Sequence, residues 1–174
     1  MRELQEKHLA IFRRHMVDVI GIHADLASDE TGKSELDGQV MAVMQEVPRH
    51  LFVPAPVASA AYEDMPLPIC FNKTISQPFM VALMADLLEP QPNDRVLEVG
   101  TGLGYQAATL AGLVAHVWTV EIMEEFVESA EKRLSTWGSR TLACASVMVH
   151  AGGPTTRHTT RSSSLLALRK SRPL

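Results

Sequence analysis

The sequence predicts an α/β fold, in which helices pack on a parallel sheet. Short apolar segments at 95–99 and 116–121 have the length of buried strands, and each is followed by a helical pattern. A glycine-rich loop, Gly-Thr-Gly-Leu-Gly at 100–104, joins the first strand to its helix. Because an order of strand, helix, strand, helix needs crossover connections, we expect parallel strands with right-handed crossovers.

Two helices are predicted ahead of the sheet, over about 1–20 and about 36–47, where apolar residues recur at helical spacing. The segment 53–72 contains four prolines and has no sustained period, which predicts an ordered loop. Ser76 and Pro78 then mark the start of a third helix, with Ser76 as its N-cap.

Two further helices are predicted around the second strand. The alanine-rich segment after the glycine loop predicts a helix over about 105–115, and the segment after the second strand predicts a helix over about 124–137. The inner face of the latter helix is expected to carry Phe126, Val127, Ala130 and Leu134.

Size and composition bound the class of protein. The chain has 174 residues, 46% hydrophobic and 21% charged, which is typical of one globular domain and not of a disordered or fibrous chain. No apolar run approaches the roughly 18 residues that span a bilayer, and the first residues mix charges where a signal peptide would be apolar. We therefore expect a cytoplasmic protein. Cys70 and Cys144 are too few for a disulfide framework, which fits a reducing compartment.

The glycine loop and an acid downstream of it predict a nucleoside cofactor. Backbone N–H groups at such a loop and helix start favour phosphate or carboxylate groups. The pattern Glu98-x-Gly100-x-Gly102-x-Gly104 differs from the dinucleotide motif, because its third glycine follows the second by two positions and not three. Glu121 ends the second strand, where an acidic side chain can accept hydrogen bonds from both hydroxyls of an adenosine ribose. A purely structural tight turn is the alternative.

Four motifs together resemble one family. They are Val-Pro-Arg-x-x-Phe-Val-Pro at 47–54, Ala-Tyr-x-Asp-x-Pro-Leu-Pro-Ile at 61–69, Thr-Ile-Ser-Gln-Pro at 74–78 and Val-Gly-Thr-Gly-x-Gly-Tyr-Gln-Ala at 99–107. They are similar to the protein-L-isoaspartate O-methyltransferases, and the resemblance extends over about residues 36–138. It implies a class I methyltransferase fold, which is Rossmann-like, with N-terminal helices and a sheet that is incomplete at its C-terminal end.

The resemblance also implies a reaction. The cofactor is expected to be S-adenosyl-L-methionine, and the methyl acceptor the free carboxylate of an L-isoaspartyl residue in a damaged protein or peptide. Ser76 takes the active-site position and is expected to orient that carboxylate, although a capping role is the alternative. Because a carboxylate is already an anion at pH 7, the reaction needs alignment and shielding from water and not a strong base. The expected cofactor-binding residues are Thr74, Ile75, Glu98, Gly100, Thr101, Gly102, Gly104, Tyr105, Glu121, Ile122, Gly152 and Gly153.

The sequence leaves two other activities as alternatives and predicts few partners. A related methyltransferase with a small-molecule or RNA acceptor and an inactive remnant that at most binds cofactor are the alternatives. His8 and His15 share a helical face without a third ligand, so no metal site is expected. We expect a monomer that binds neither nucleic acid nor membranes.

The C-terminal part departs from the family. All 20 acidic residues lie ahead of residue 139, whereas residues 139–174 contain six lysines and arginines and no acid. A basic arm for nucleic acid is one interpretation. A shift of reading frame is the other, because the segment 147–153 fits the family's next strand and turn with Gly152 in place of an acid, and the resemblance ends beyond Pro154.

The expected organisation follows from this departure. Residues 1–153 are expected to form a partial methyltransferase domain, with helices and a loop at 1–72 and a cofactor-binding core at 73–153. They supply at most three strands, which leaves one edge of the strand at 95–99 unpaired. Residues 154–174 are expected to be a disordered, basic, Ser/Thr-rich tail, and both stability and activity to be low.

Overall fold

The computed structural model describes residues 2–138, 142–146 and 166–170. Its helices are α1 (Arg2–Leu26), α2 (Ser28–Thr31), α3 (Gly38–Glu46), α4 (Pro78–Leu87), α5 (Tyr105–Ala111) and α6 (Glu124–Trp137), with 3-10 helices at Arg49–Phe52 and Ala55–Ala60. Its strands are β1 (Leu67–Pro68), β2 (Thr74–Ile75), β3 (Arg95–Val99), β4 (His116–Glu121), β5 (Leu142–Ser146) and β6 (Leu166–Lys170).

A four-stranded sheet with the order β5, β4, β3, β6 lies at the centre of the fold. β4 pairs in parallel with both β3 and β5, so that Val120 lies opposite Val99 on one side and Ala145 on the other. Helix α5 connects β3 to β4 and α6 connects β4 to β5. The predicted α/β fold with a parallel sheet is therefore confirmed.

Strand β6 pairs antiparallel with the edge of β3 that the sequence leaves without a partner. Val96 lies opposite Arg169, and Val99 lies opposite Leu166. At Leu166–Lys170 the structure thus differs from the expected disordered tail, because an open edge offers backbone N–H and C=O groups that an extended segment can satisfy. The remainder of residues 154–174 lies outside the described residues.

The third parallel strand begins earlier than expected. β5 covers Leu142–Ser146, whereas the apolar run that predicts this strand starts at Val147. A short connection from the end of α6 at Trp137 brings the chain back to the sheet within a few residues, which is usual between a helix and a strand. Residues 147–153, with the predicted Gly152 and Gly153, lie outside the described residues.

The N-terminal helices pack on the helices of the sheet domain. α1 extends to Leu26, beyond its expected end near Ile20, because Met16, Ile20 and Ala24 continue one fully buried face. These residues join a core to which α3, α4 and α5 also contribute. In the part of the chain that the structure describes, no helix combines the length and the apolar character that a membrane span requires.

Candidate active site

A cavity of about 330 Å³ lies beside the carboxyl ends of β3 and β4, where open α/β sheets bind their ligands. Two walls face each other across it. The loop wall consists of residues 98–105 and 120–123, and the hairpin wall consists of residues 69–76, which include β2 and the turn before it. Ten of the thirteen predicted site residues line the cavity, namely Thr74, Ile75, Ser76, Glu98, Gly100, Thr101, Gly102, Tyr105, Glu121 and Ile122.

Glu121 fixes the loop wall through its carboxylate. Its Oε2 accepts a hydrogen bond from the backbone N–H of Gly102 at 2.9 Å. Its Oε1 accepts from the N–H groups of Ile122 at 2.8 Å and Met123 at 3.2 Å. Because each carboxylate oxygen has two acceptor directions, Oε2 retains one for a ligand hydroxyl.

The glycines of the loop adopt backbone conformations that other residues avoid. Gly100, Gly102 and Gly104 have φ angles of 98°, 53° and 91°. Gly104 does not line the cavity. A Cβ atom there would lie 3.2 Å from the side chain of Leu134 on α6, so this glycine permits close packing of the loop on a helix.

Glu98 is the most deeply buried acid of the loop wall, with 0% of its surface exposed. Its Oε2 accepts a hydrogen bond from the Thr119 hydroxyl, which in turn lies 2.6 Å from the Thr101 hydroxyl. Its Oε1 is buried without a hydrogen-bond partner among the described residues. Burial raises the pKa of Glu98 to about 8, against the opposing effect of the Thr119 hydrogen bond and with a smaller contribution from the charge of Glu121. The carboxyl group is therefore protonated at pH 7.

Ser76 is half-buried in the hairpin wall and does not occupy the N-cap position of α4. That position belongs to Gln77, whose side chain makes no capping hydrogen bond. The expected capping role of Ser76 is therefore wrong, because α4 begins one residue later than such a role requires. Within the described residues the Ser76 hydroxyl has no hydrogen-bond partner, which leaves it available to a ligand.

Distant residues hold the end of the hairpin wall at Ser76 and the start of α4 that directly follows it. The Nη2 group of Arg49 donates to the Ser76 carbonyl at 2.7 Å. The Asp64 carboxylate accepts hydrogen bonds from Gln77 Nε2 at 2.8 Å and Phe79 N at 2.7 Å, and also from His23. Arg49 and Asp64 belong to the motifs that carry the family resemblance, but the sequence gives neither of them a place at the site.

Several lining residues were not predicted. They are Ile69, Lys73, Val81, Val99, Leu103, Gln106, Val120, Met123 and Phe126. Val99, Val120 and Met123 lie next to predicted residues in the sequence, so they could have been predicted from that adjacency. Phe126 has the pattern of a core residue, yet its ring also packs edge-on against the exposed Phe71 at 5.6 Å between ring centres.

Metal binding has no structural support in the part of the chain that is described. No group of three or more histidine, cysteine, aspartate or glutamate side chains there could hold a metal ion.

Comparison with known proteins identifies the family. The family model described as "Protein-L-isoaspartate(D-aspartate) O-methyltransferase (PCMT)" matches residues 25–157. The chain belongs to this family. Protein-L-isoaspartate O-methyltransferase 1 of Polaromonas sp. is 49% identical over 135 residues, which are 78% of this chain and 57% of that protein. The enzyme of the same name from Cupriavidus necator is 49% identical over 136 residues, or 78% and 52% of the two chains.

The chain spans about half the length of the curated relatives it matches. A solved protein-L-isoaspartate O-methyltransferase structure is similar with a TM-score of 0.62 and 24% identity, over 77% of this chain and 41% of that one. A PCMT structure from Plasmodium falciparum in complex with S-adenosyl-L-homocysteine is similar with a TM-score of 0.53 and 22% identity, over 63% and 55% of the two chains. Both likenesses confirm the class I methyltransferase fold.

Proposed function

We propose that this chain transfers a methyl group from S-adenosyl-L-methionine to the free carboxylate of L-isoaspartyl residues in damaged proteins or peptides. The observation that carries the proposal is that one cavity joins the two walls, with Glu121 and the glycine loop on one side and Ser76 on the other. The names of relatives at 49% identity support the same reaction.

The loop wall fits a nucleoside cofactor of this kind. Oε2 of Glu121 keeps an acceptor direction for a ribose hydroxyl, and the N–H groups of the glycine loop lie on the same wall of the cavity. The S-adenosyl-L-homocysteine named for the Plasmodium falciparum structure supports this choice of cofactor. When bound, S-adenosyl-L-methionine supplies the methyl carbon to which the acceptor oxygen bonds, while the carbon–sulfur bond breaks and its electron pair stays on sulfur.

The hairpin wall holds the acceptor in this proposal. The Ser76 hydroxyl donates a hydrogen bond to one oxygen of the acceptor carboxylate and leaves the other oxygen free to attack. Because that carboxylate is ionised at pH 7, Ser76 orients it and removes no proton. The apolar side chains of Ile75 and Phe126 line the same cavity.

Substitution of Ser76 tests the proposal. Ser76→Ala should lower turnover of an isoaspartyl peptide by about 10- to 100-fold, which is the value of a hydrogen bond to a charged group, and leave cofactor affinity within about twofold. The assay uses labelled S-adenosyl-L-methionine, with the normal aspartyl peptide as the negative substrate. Ser135→Ala, at an exposed position of α6, is the matched control.

The outcomes separate the candidate functions. Equal losses of turnover and cofactor affinity in Ser76→Ala would contradict the orienting role. Cofactor binding by the wild-type chain without any methylation would identify an inactive remnant. Because the chain spans about half of its relatives, a full-length relative assayed beside it shows how much activity this part retains.

The remaining partners belong to the same proposal. The chain is proposed to act in the cytoplasm as a monomer, with isoaspartyl proteins or peptides as its partners and with no metal, nucleic acid or membrane. Light scattering across a range of protein concentrations tests the monomer.

A further inference from the structure

Arg49 is a buried cation whose role the proposed chemistry leaves open. None of its surface is exposed, and its guanidinium carbon lies 4.7 Å from the centre of the Tyr105 ring. Its Nη2 donates to the Ser76 carbonyl, but its Nε and Nη1 have no hydrogen-bond partner among the described residues. Such a charge costs stability unless something compensates it, so its position behind the site needs a reason.

The protein itself compensates this charge only in part. Burial lowers the pKa of Arg49, an effect that the phenolic group of Tyr105 and the charge of Asp64 oppose. The hydrogen bonds that Asp64 accepts, however, come from Gln77, Phe79 and His23 and not from Arg49. An arginine stays charged near pH 7 even when its pKa is lowered, because its ordinary value is so high.

The contacts of Arg49 place its charge where the two walls meet. Ser76 belongs to the hairpin wall and Tyr105 to the loop wall, and Arg49 touches both from the side away from the cavity. A carboxylate seated against Ser76 would approach this charge through one layer of residues, in surroundings where water screens poorly. The proposed acceptor is an anion before methylation and a neutral ester after it.

We propose that Arg49 is a positioning residue that fixes Ser76 through its carbonyl, and that the charge of Arg49 selects an ionised carboxylate over a neutral group at the acceptor position. This inference rests on the proposed function. It implies that methylation removes the attraction between acceptor and protein, so that the product leaves more readily than the substrate.

Binding without turnover tests the inference. The full chain is saturated with S-adenosyl-L-homocysteine, and two peptides are titrated by calorimetry: an isoaspartyl peptide, and the same peptide with that carboxylate replaced by a neutral primary amide. The wild-type chain should favour the carboxylate by about tenfold. Arg49→Met should lose this preference, and Arg49→Lys should keep most of it while its turnover falls.

Arg133→Met is the matched control. Arg133 is half-buried and donates to the carbonyls of Leu51 and Val53, in the segment that directly follows Arg49, but it does not line the cavity. Its loss loosens the same segment without removing charge from behind Ser76. It should therefore keep the full preference for the carboxylate.

Each result decides something. A preference that persists in Arg49→Met, or that falls equally in Arg133→Met, would overturn the inference. If circular dichroism shows that Arg49→Met does not fold, Arg49→Gln takes its place, because it also removes the charge: loss of the preference there supports the inference and retention of the preference overturns it. A wild-type chain that binds cofactor product but neither peptide contradicts the proposed function itself, whereas one that binds both peptides equally contradicts only the role of Arg49.

Discussion

The two walls of the cavity are held by different kinds of partner. In the loop wall, Glu121 bonds to Gly102 and Thr119 bonds to Glu98, so the contacts join adjacent parallel strands and the loops that follow them. At the hairpin wall and the start of α4 that follows it, the supports come from the 3-10 helix at Arg49–Phe52 and from the loop that contains Asp64, which α1 contacts through His23. The hydrogen bonds of Glu121 and Glu98 thus lie within a single strand–helix–strand unit, whereas those that support the other wall come from the N-terminal half.

Because the two walls have different supports, we expect cofactor binding and peptide binding to respond to different substitutions. The loop wall, proposed to hold the cofactor, should keep its geometry as long as the sheet is intact. The hairpin wall, proposed to hold the peptide, should respond to changes far away in sequence. Substitutions can therefore impair one task and spare the other.

The largest expected effect comes from the tight packing behind the loop wall. Gly104→Ala should lower the free energy of unfolding by about 2 to 5 kcal/mol, because a left-handed backbone and a crowded Cβ act together. Gly38→Ala is the control, since a Cβ there meets nothing within 4 Å. Urea denaturation of both variants measures the difference, and equal midpoints would show that the loop wall tolerates distortion.

The buried acid of the loop wall should make stability depend on pH. The folded state keeps Glu98 protonated up to about pH 8, whereas the unfolded state releases that proton near pH 4.5, so the stability due to this group falls as pH rises between these values. Glu98→Gln should remove the decline and be more stable than the wild type by about 2 to 4 kcal/mol at pH 8. Denaturation at several pH values checks this, with Glu128→Gln at an exposed position as the control. If the free energy of unfolding changes with pH in the same way in the wild type and in Glu98→Gln, Glu98 is not the cause of the pH dependence.

Glu121 should matter for cofactor affinity more than for peptide affinity. Glu121→Ala removes the carboxylate that we propose to accept hydrogen bonds from the ribose, together with the bond that holds Gly102, so cofactor binding should weaken by about 1.5 to 3 kcal/mol. Calorimetry with S-adenosyl-L-homocysteine measures the dissociation constant. Glu125→Ala, an exposed position on α6, serves for comparison. An unchanged dissociation constant in a folded Glu121→Ala chain would remove this acid from the cofactor site.

The smallest effect is expected at the support of the hairpin wall. Asp64→Asn places an amide where Asp64 accepts three hydrogen bonds, so the free energy of unfolding should fall by about 1 to 2 kcal/mol and the isoaspartyl peptide should bind more weakly. Cofactor affinity should stay within about twofold of wild type. Asp18→Asn, at an exposed position of α1, is the control. A loss of cofactor affinity as large as the loss of peptide affinity would mean that the two walls are coupled.

The sequence predicts the loop wall better than the hairpin wall for a physical reason. Strands β3 and β4 and helix α6 have the predicted bounds, because apolar periodicity and glycine punctuation act locally. The partners of Arg49 and Asp64 depend on how separate segments meet, which no local pattern encodes.

The remaining differences have the same origin. The antiparallel pairing of β6 with β3 also depends on the meeting of separate segments, and the composition of the tail argues against it. Lining residues such as Val81 and Phe126 carry the same apolar signal as core residues, so the sequence cannot distinguish a cavity wall from a packed interior.

The contact between His23 and Asp64 has an evolutionary consequence. The match to the family begins at residue 25, so almost all of α1 precedes it, and yet α1 supplies His23 to an aspartate inside the matched region. A substitution at position 23 can shift the support of the wall that we propose to bind the peptide, while every matched residue stays the same. If that proposal holds, preference among peptides can change through this helix without any change in the motifs by which the family is recognised.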